Sequence, residues 1–184
     1  ISGEAGIGAG IIHDGKPMLG AAGYAGEAGH TLINPDGRLC RCGATGCWET
    51  EAGEAALARL AGIPSSVTGL GLVDTVLARA NDGDQKTLDA LAEIGRWLGL
   101  GIGNLINVFN PQLVVLGGFY HPLFPFLEKA VFEGARLGAL DAPGDIADIA
   151  AGGLGPDAPL IGAAELAISE VIADPAGHSR ARSG

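Results

Sequence analysis

Positive charge is scarce in this chain: 11 lysines and arginines stand against 21 aspartates and glutamates, a formal net charge of -10 over 184 residues. That imbalance opposes direct attraction to DNA or to an anionic membrane, so no nucleic-acid surface is expected here. Long unbroken apolar runs are lacking too. The longest stretch, LGLGIGNLINVFNPQLVVLGGF, is interrupted by Asn104, Asn107, Asn110 and Pro111, which excludes a membrane span. Cysteines number 3, so they cannot pair among themselves without leaving one over. Clustered thiols without a disulfide pattern, and no charged-then-apolar leader, predict a reducing cytoplasm. No linker and no internal repeat is visible, so one lobe is the expected organisation. What the chain does have is 47% hydrophobic residues and 32 glycines, the composition of a loop-rich α/β protein that buries a core.

All three cysteines fall in one segment, GEAGHTLINPDGRLCRCGATGCWET, residues 26 to 50. Cys40 and Cys42 are too close in sequence for an easy disulfide, whereas thiolates around one cation tolerate such crowding. With His30, the cysteines Cys40, Cys42 and Cys47 make a complete Cys3His tetrahedral set, and thiolate with imidazole suits zinc. Gly37, Gly43 and Gly46 lie between the ligands, where a chain folding back on a small ion needs backbone angles that side chains resist. Four protein ligands close the site, so the metal's expected role is structural. The alternative is three small buried or free thiols.

Periodicity sketches the remainder. Residues 6 to 19 predict two strands around an Asp14-Gly15 turn. Residues 48 to 61 are helical in composition, so the knuckle feeds a helix. A helix is expected over 72 to 80, and Asn81-Asp82-Gly83-Asp84 ends it and caps the next. From Lys86 to Phe109, apolar residues at 88, 91, 94, 98, 102, 105 and 109 mark one long core-facing helix. Gly95, Gly99 and Gly103 share one of its faces and admit a second backbone closely. Pro111 stops it, and QLVVLGG, 112 to 118, reads as a buried strand ending in a Gly-Gly turn. A helix over 122 to 137, a strand and glycine turn within 145 to 155, a last helix over 158 to 173 and a frayed tail from Asp174 complete the prediction. His13 and His121 are lone histidines, expected to be exposed or locally bonded.

GEAGH followed by CRCGATGCWE resembles the signature of the ROK family of repressors, open reading frames and kinases. The resemblance extends to GIGAGII near the start, NPQLVVLGG in the middle and PLIGAAELA near the end. It implies an actin-like ATPase, ribonuclease H-like α/β fold of two lobes, with residues 1 to 184 forming mainly the second lobe. The first lobe and any DNA-binding module are then expected outside this chain. It implies further that Glu27, His30 and Glu49 contact sugar hydroxyls. Carboxylates suit that task because each accepts hydrogen bonds from two neighbouring hydroxyls. His30 is expected to serve twice, one ring nitrogen on zinc and the other on a sugar oxygen. The alternative for Glu27 and Glu49 is a pair of solvated surface carboxylates.

The family's kinases carry, upstream of the region this chain resembles, an Asp-x-Gly-x-Thr phosphate loop and an Asn-Asp pair whose aspartate is the general base; the loop does not occur here, and Asn81-Asp82 is the expected helix end, downstream of the cysteine segment. Phosphoryl transfer is therefore not expected of this chain, and no catalytic or nucleotide-binding residue is assigned. Where the kinases have Gly-Thr-Gly before the GIGAGII-like run, this sequence has Glu4, Ala5 and Gly6. A carboxylate there would repel a triphosphate. With Trp48 after the last cysteine, the pattern resembles the family's transcriptional regulators: a sugar-effector-binding, zinc-containing, dimeric or tetrameric lobe that reaches DNA only through another module. The alternative is the carboxy-terminal lobe of a glucokinase-like sugar kinase. Gly117 and Gly118 are expected to serve their turn alone.

Overall fold

In the computed structural model, which describes residues 1–173, the chain divides into two compact units with the boundary between Gly152 and Gly153. The first is organised around a pair of helices, α4 (Gln85–Phe109) and α5 (Tyr120–Gly138). Asp84 starts α4 as its N-cap, accepting hydrogen bonds from the Thr87 backbone N–H at 3.0 Å and the Thr87 hydroxyl at 2.5 Å. Leu91, Ile94, Leu98 and Ile102 are fully buried along α4. The expected stripe departs at its end, where Ile106 is buried while Leu105 is half-buried and Phe109 is 39% exposed. The buried row follows every fourth residue (94, 98, 102, 106), the ridge that interdigitates when two helices pack closely.

Glycine makes that approach possible from both sides. A Cβ at Gly95 would stand 2.8 Å from the Ala130 Cβ, one at Gly103 would stand 2.6 Å from the Ala135 carbonyl, and one at Gly99 would overlap the Val131 carbonyl. The α5 backbone answers with Gly134 against the Arg96 carbonyl and Gly138 against that of Leu100. The first glycine face was legible in the sequence; its counterpart on α5 was not.

Strands β1 (Ser2–Gly3), β2 (Ile7–Gly8), β5 (Leu113–Gly118) and β6 (Asp148–Ala151) form a sheet in the order β2-β1-β5-β6. β1 and β6 run parallel to β5, and β2 is antiparallel to β1. Two-residue β1 escaped prediction because it is too short to show a period. β5 corrects the expectation of a strand buried on both faces: Val114 and Leu116 are buried, but Leu113 is 53% and Val115 44% exposed. Helix α5 packs on the strand and accounts for one covered face only.

The predicted turn at Asp14-Gly15 is present, with φ of 50° and 72°, and joins β3 (Ile12–His13) to β4 (Lys16–Pro17). The segment expected as two strands is divided, because Ile7–Gly8 joins the main sheet while the hairpin stands apart as a two-stranded ribbon. The helix expected over 48 to 61 is interrupted at Gly53, whose backbone is extended, giving α1 (Trp48–Ala52) and α2 (Glu54–Ala61). Glycine disfavours helix interiors, and a Cβ at this one would stand 2.5 Å from the Glu49 carbonyl. α3 (Gly69–Asn81) and the four-residue α6 (Asp141–Gly144), which showed no signal in the sequence, complete this unit.

Trp48, at the start of α1, has no exposed surface. Its Nε1–H donates to the Trp97 carbonyl at 2.9 Å, and its indole fills the notch left by Gly101 on α4. Tyr120 is equally buried and donates its hydroxyl to the Ala52 carbonyl at 3.0 Å. Within the second unit, α7 (Ala158–Ala173) matches its predicted span. The tail expected to fray from Asp174 lies outside the described residues. Among the described residues, no helix is long and apolar enough to cross a membrane.

Candidate functional site

The knuckle is a set of short backbone pairings that gather the ligands. Ile33 N–H donates to Gly46 O at 2.9 Å, Gly46 N–H to Arg38 O at 2.8 Å, and Trp48 N–H to Thr31 O at 2.9 Å. These lay the segment after His30 against the segment around Cys47. A tighter turn, closed by Cys40 N–H to Ala44 O at 2.7 Å and Gly43 N–H to Cys40 O at 3.0 Å, brings Cys40 and Cys42 to the same end. Gly43 (φ 94°) and Gly46 (φ 78°) take the left-handed angles the sequence suggested, whereas Gly37 does not; it is needed for close approach, since a Cβ there would stand 2.5 Å from the Glu51 carboxylate. Asn34 supports the knuckle by donating its side-chain amide to the buried Glu51 carboxylate at 3.1 Å.

One ligand atom each from His30, Cys40, Cys42 and Cys47 lies within 4.8 Å of the others. The Cys42 and Cys47 sulfurs are 3.5 Å apart, and the Cys40 sulfur is 3.6 Å from His30 Nδ1. A tetrahedral ion with metal–sulfur bonds of about 2.3 Å and metal–nitrogen bonds of about 2.0 Å needs ligand separations of roughly 3.5–3.8 Å. The Cys42–Cys47 and Cys40–His30 separations match such a cation, and the full set, within 4.8 Å, could close on one. As free thiols, Cys40 is pushed up to about 12 and Cys47 is also raised, both chiefly by burial. The exposed Cys42 is lowered, chiefly by its backbone hydrogen bond with Ala44. Because a metal binds thiolates, these two buried thiols would have to give up their protons to an entering cation.

The structure brings all three expected sugar-contact residues to this knuckle. Glu27 precedes a 3₁₀ turn, Ala28–His30, and its exposed carboxylate is 4.0 Å from His30 Nε2. His30 thus presents Nδ1 to the thiols and Nε2 to the Glu27 side. Glu49, on α1, lies 3.8 Å from His30 Nδ1 and accepts a hydrogen bond from the Cys40 thiol at 3.0 Å; its side chain is only 9% exposed.

Two neighbours were not assigned to this site from the sequence. Arg41 reaches Glu49 with Nε 3.3 Å from Oε1 and an outer guanidinium nitrogen 3.4 Å from Oε2. Gly6, in the β1–β2 turn, leaves the space for that pair, since a Cβ there would overlap the Glu49 carboxylate and stand 2.7 Å from the Arg41 guanidinium. Arg41 reads as filler between two ligands, and its proximity to Glu49 is created by the fold of the knuckle. Elsewhere, His13 is exposed beside Asp14, as expected. His121 departs from expectation, because its Nδ1 is buried with no hydrogen-bond partner.

The family model for the ROK family matches residues 2–170. The xylose repressor of Bacillus subtilis is 32% identical over 94% of this chain, which spans 44% of the repressor's length. Among solved structures, a ROK family transcriptional regulator homologous to the E. coli MLC protein superposes with a TM-score of 0.70 at 34% identity. It covers 82% of this chain and 40% of its own. A ROK family glucokinase from Streptomyces griseus, solved with glucose and AMPPNP, superposes at 0.74 with 32% identity over 90% of this chain and 58% of its own. The chain thus spans 40% to 58% of the length of these three relatives, and regulators and kinases resemble it almost equally. The knuckle, the α4–α5 pair and the four-stranded sheet lie inside the matched span, and the chain belongs to the ROK family.

Proposed function

We propose that this chain is the sugar-effector-binding part of a ROK-family transcriptional regulator, a repressor. In this reading it supplies the second lobe of an actin-like ATPase fold, and Glu27, His30 and Glu49 receive sugar hydroxyls. Zinc on His30, Cys40, Cys42 and Cys47 fixes the knuckle and the tautomer that His30 offers to the ligand. The protein works in the cytoplasm as a homodimer or tetramer and reaches DNA through a module outside these residues. Sugar binding biases one arrangement of the lobes over another, and only a difference in affinity between the two can drive that switch.

The observation that carries the regulator over the kinase is the β1–β2 turn. Glu4 is exposed on it, where the family's kinases place the glycines and threonine that face phosphates. Gly6 of the same turn packs against Glu49 and Arg41, which sets the turn beside this site. A triphosphate brought there would meet a like charge.

The test is made on the full-length protein, comparing operator binding with and without sugar and assaying ATP-dependent sugar phosphorylation. Sugar-sensitive operator binding without phosphoryl transfer is expected; phosphorylation would replace this reading with the glucokinase one. Glu27→Ala should abolish the sugar response with zinc still bound. Cys42→Ser should lose zinc and weaken sugar binding together, because the metal contributes to folding.

A further inference from the structure

Glu49 combines two properties that conflict in a ligand-binding carboxylate. Its side chain is 9% exposed, and both of its oxygens already face one guanidinium: Oε1 lies 3.3 Å from Arg41 Nε and Oε2 lies 3.4 Å from the outer Arg41 nitrogen. Arg41 itself is 67% exposed. The guanidinium therefore covers the carboxylate from the solvent side, the direction from which a soluble ligand arrives. On the opposite flank Gly6 closes the space, leaving no room for a side chain. Both nitrogen–oxygen distances exceed the 2.7–2.9 Å of a tight charge-assisted bond, so this is a loose fork.

We infer that Arg41 is a positioning residue that acts as a displaceable clamp on Glu49. In the free protein it occupies the carboxylate, and an entering polyol takes over the oxygens as Arg41 swings into solvent. The inference rests on the sugar-binding reading above and adds an intramolecular competitor to it. An exposed guanidinium loses little on release, because water solvates it, and a loose pair with one exposed partner contributes weakly. Competition of this kind sets a threshold on effector affinity without touching the effector. It also gives an uncharged ligand an ionic-strength dependence it would not otherwise have, since salt weakens the clamp but not the sugar's hydrogen bonds.

The experiment is calorimetric titration of the zinc-loaded, full-length protein with D-xylose, D-glucose and N-acetyl-D-glucosamine, at low and high sodium chloride. Wild type, Arg41→Gln and Glu49→Gln are compared. Arg41→Gln should bind its sugar about 2- to 5-fold more tightly than wild type, the range expected when a competing surface ion pair is removed. Wild-type affinity should rise with salt while that of Arg41→Gln stays flat, a signature that a purely structural arginine would not produce. Glu49→Gln should lose binding with zinc content unchanged. Weaker binding by Arg41→Gln, or a salt-independent wild type, would overturn the clamp while leaving the sugar site standing. Failure of wild type and Arg41→Gln alike to bind any of the three sugars would overturn site and clamp together.

Discussion

Alanine in place of glycine should have opposite effects on α4 and α3, and the sign follows from what the new methyl group meets. In an open helix, alanine is favoured over glycine by up to about 1 kcal/mol. At Gly71 on α3, the nearest atom to an added Cβ is the Val67 Cγ1 at 3.8 Å, an ordinary contact, so Gly71→Ala should stabilise the protein by roughly 0.5 kcal/mol. At Gly99 the same methyl would overlap the Val131 carbonyl and stand 2.8 Å from the Ala135 amide nitrogen. Both are backbone atoms of α5, which cannot rotate aside as a side chain can. The helices would have to separate along a seam that also holds Gly95, Gly103, Gly134 and Gly138. Overpacking costs typically about 1–3 kcal/mol, which exceeds the gain in propensity. Gly99→Ala should therefore lower stability by about 1–2 kcal/mol net, or about 3–6 °C in Tm for a domain of this size. Thermal and urea unfolding followed by circular dichroism would measure both variants. A Gly99→Ala protein as stable as wild type would refute the close-packed α4–α5 seam.

Asp84 gives a pH-dependent test. Hydrogen bonds from the Thr87 hydroxyl and then its backbone N–H hold the carboxyl below its ordinary value, so folding favours the ionised form. Its contribution is present above the unfolded value of about 3.9 and is lost as pH falls through the lower folded value. The Tm gap between wild type and Asp84→Ala should thus be constant near neutrality and close only below pH about 4; a gap unchanged into strong acid would contradict the cap. Tyr120→Phe should destabilise by about 1–2 kcal/mol in urea unfolding, because the Ala52 carbonyl loses its buried donor. No loss would mean that carbonyl finds another partner.

The site was legible because its chemistry is local: His30, Cys40, Cys42 and Cys47 announce themselves by residue type within one loop. The long helix was legible because seven apolar positions and three glycines repeat along it. Contacts made between distant segments were not. Nothing in the sequence pairs Arg41 with Glu49, sets Gly6 against them, or opposes Gly134 and Gly138 to the glycines of α4. Strand β5 shows a subtler failure, since an apolar run alone cannot tell one covered face from two. The end of the α4 stripe misled for a related reason: residues 105 and 109 satisfy helical spacing, but the crossing of α5 decides which row is covered.

The fit between Trp48 and Gly101 has a mechanical consequence. The rigid indole of Trp48, one residue past Cys47, is wedged into a helix notch and fastened by its hydrogen bond to the Trp97 carbonyl. Any tilt of the knuckle presses on α4 through that ring, and α4 cannot yield alone because its backbone is meshed with that of α5. The helix pair would act as a lever with its short arm beneath the knuckle. Gly101→Ala would act like sand in the hinge, leaving every site residue in the sequence while changing the angle at which the knuckle meets the lever.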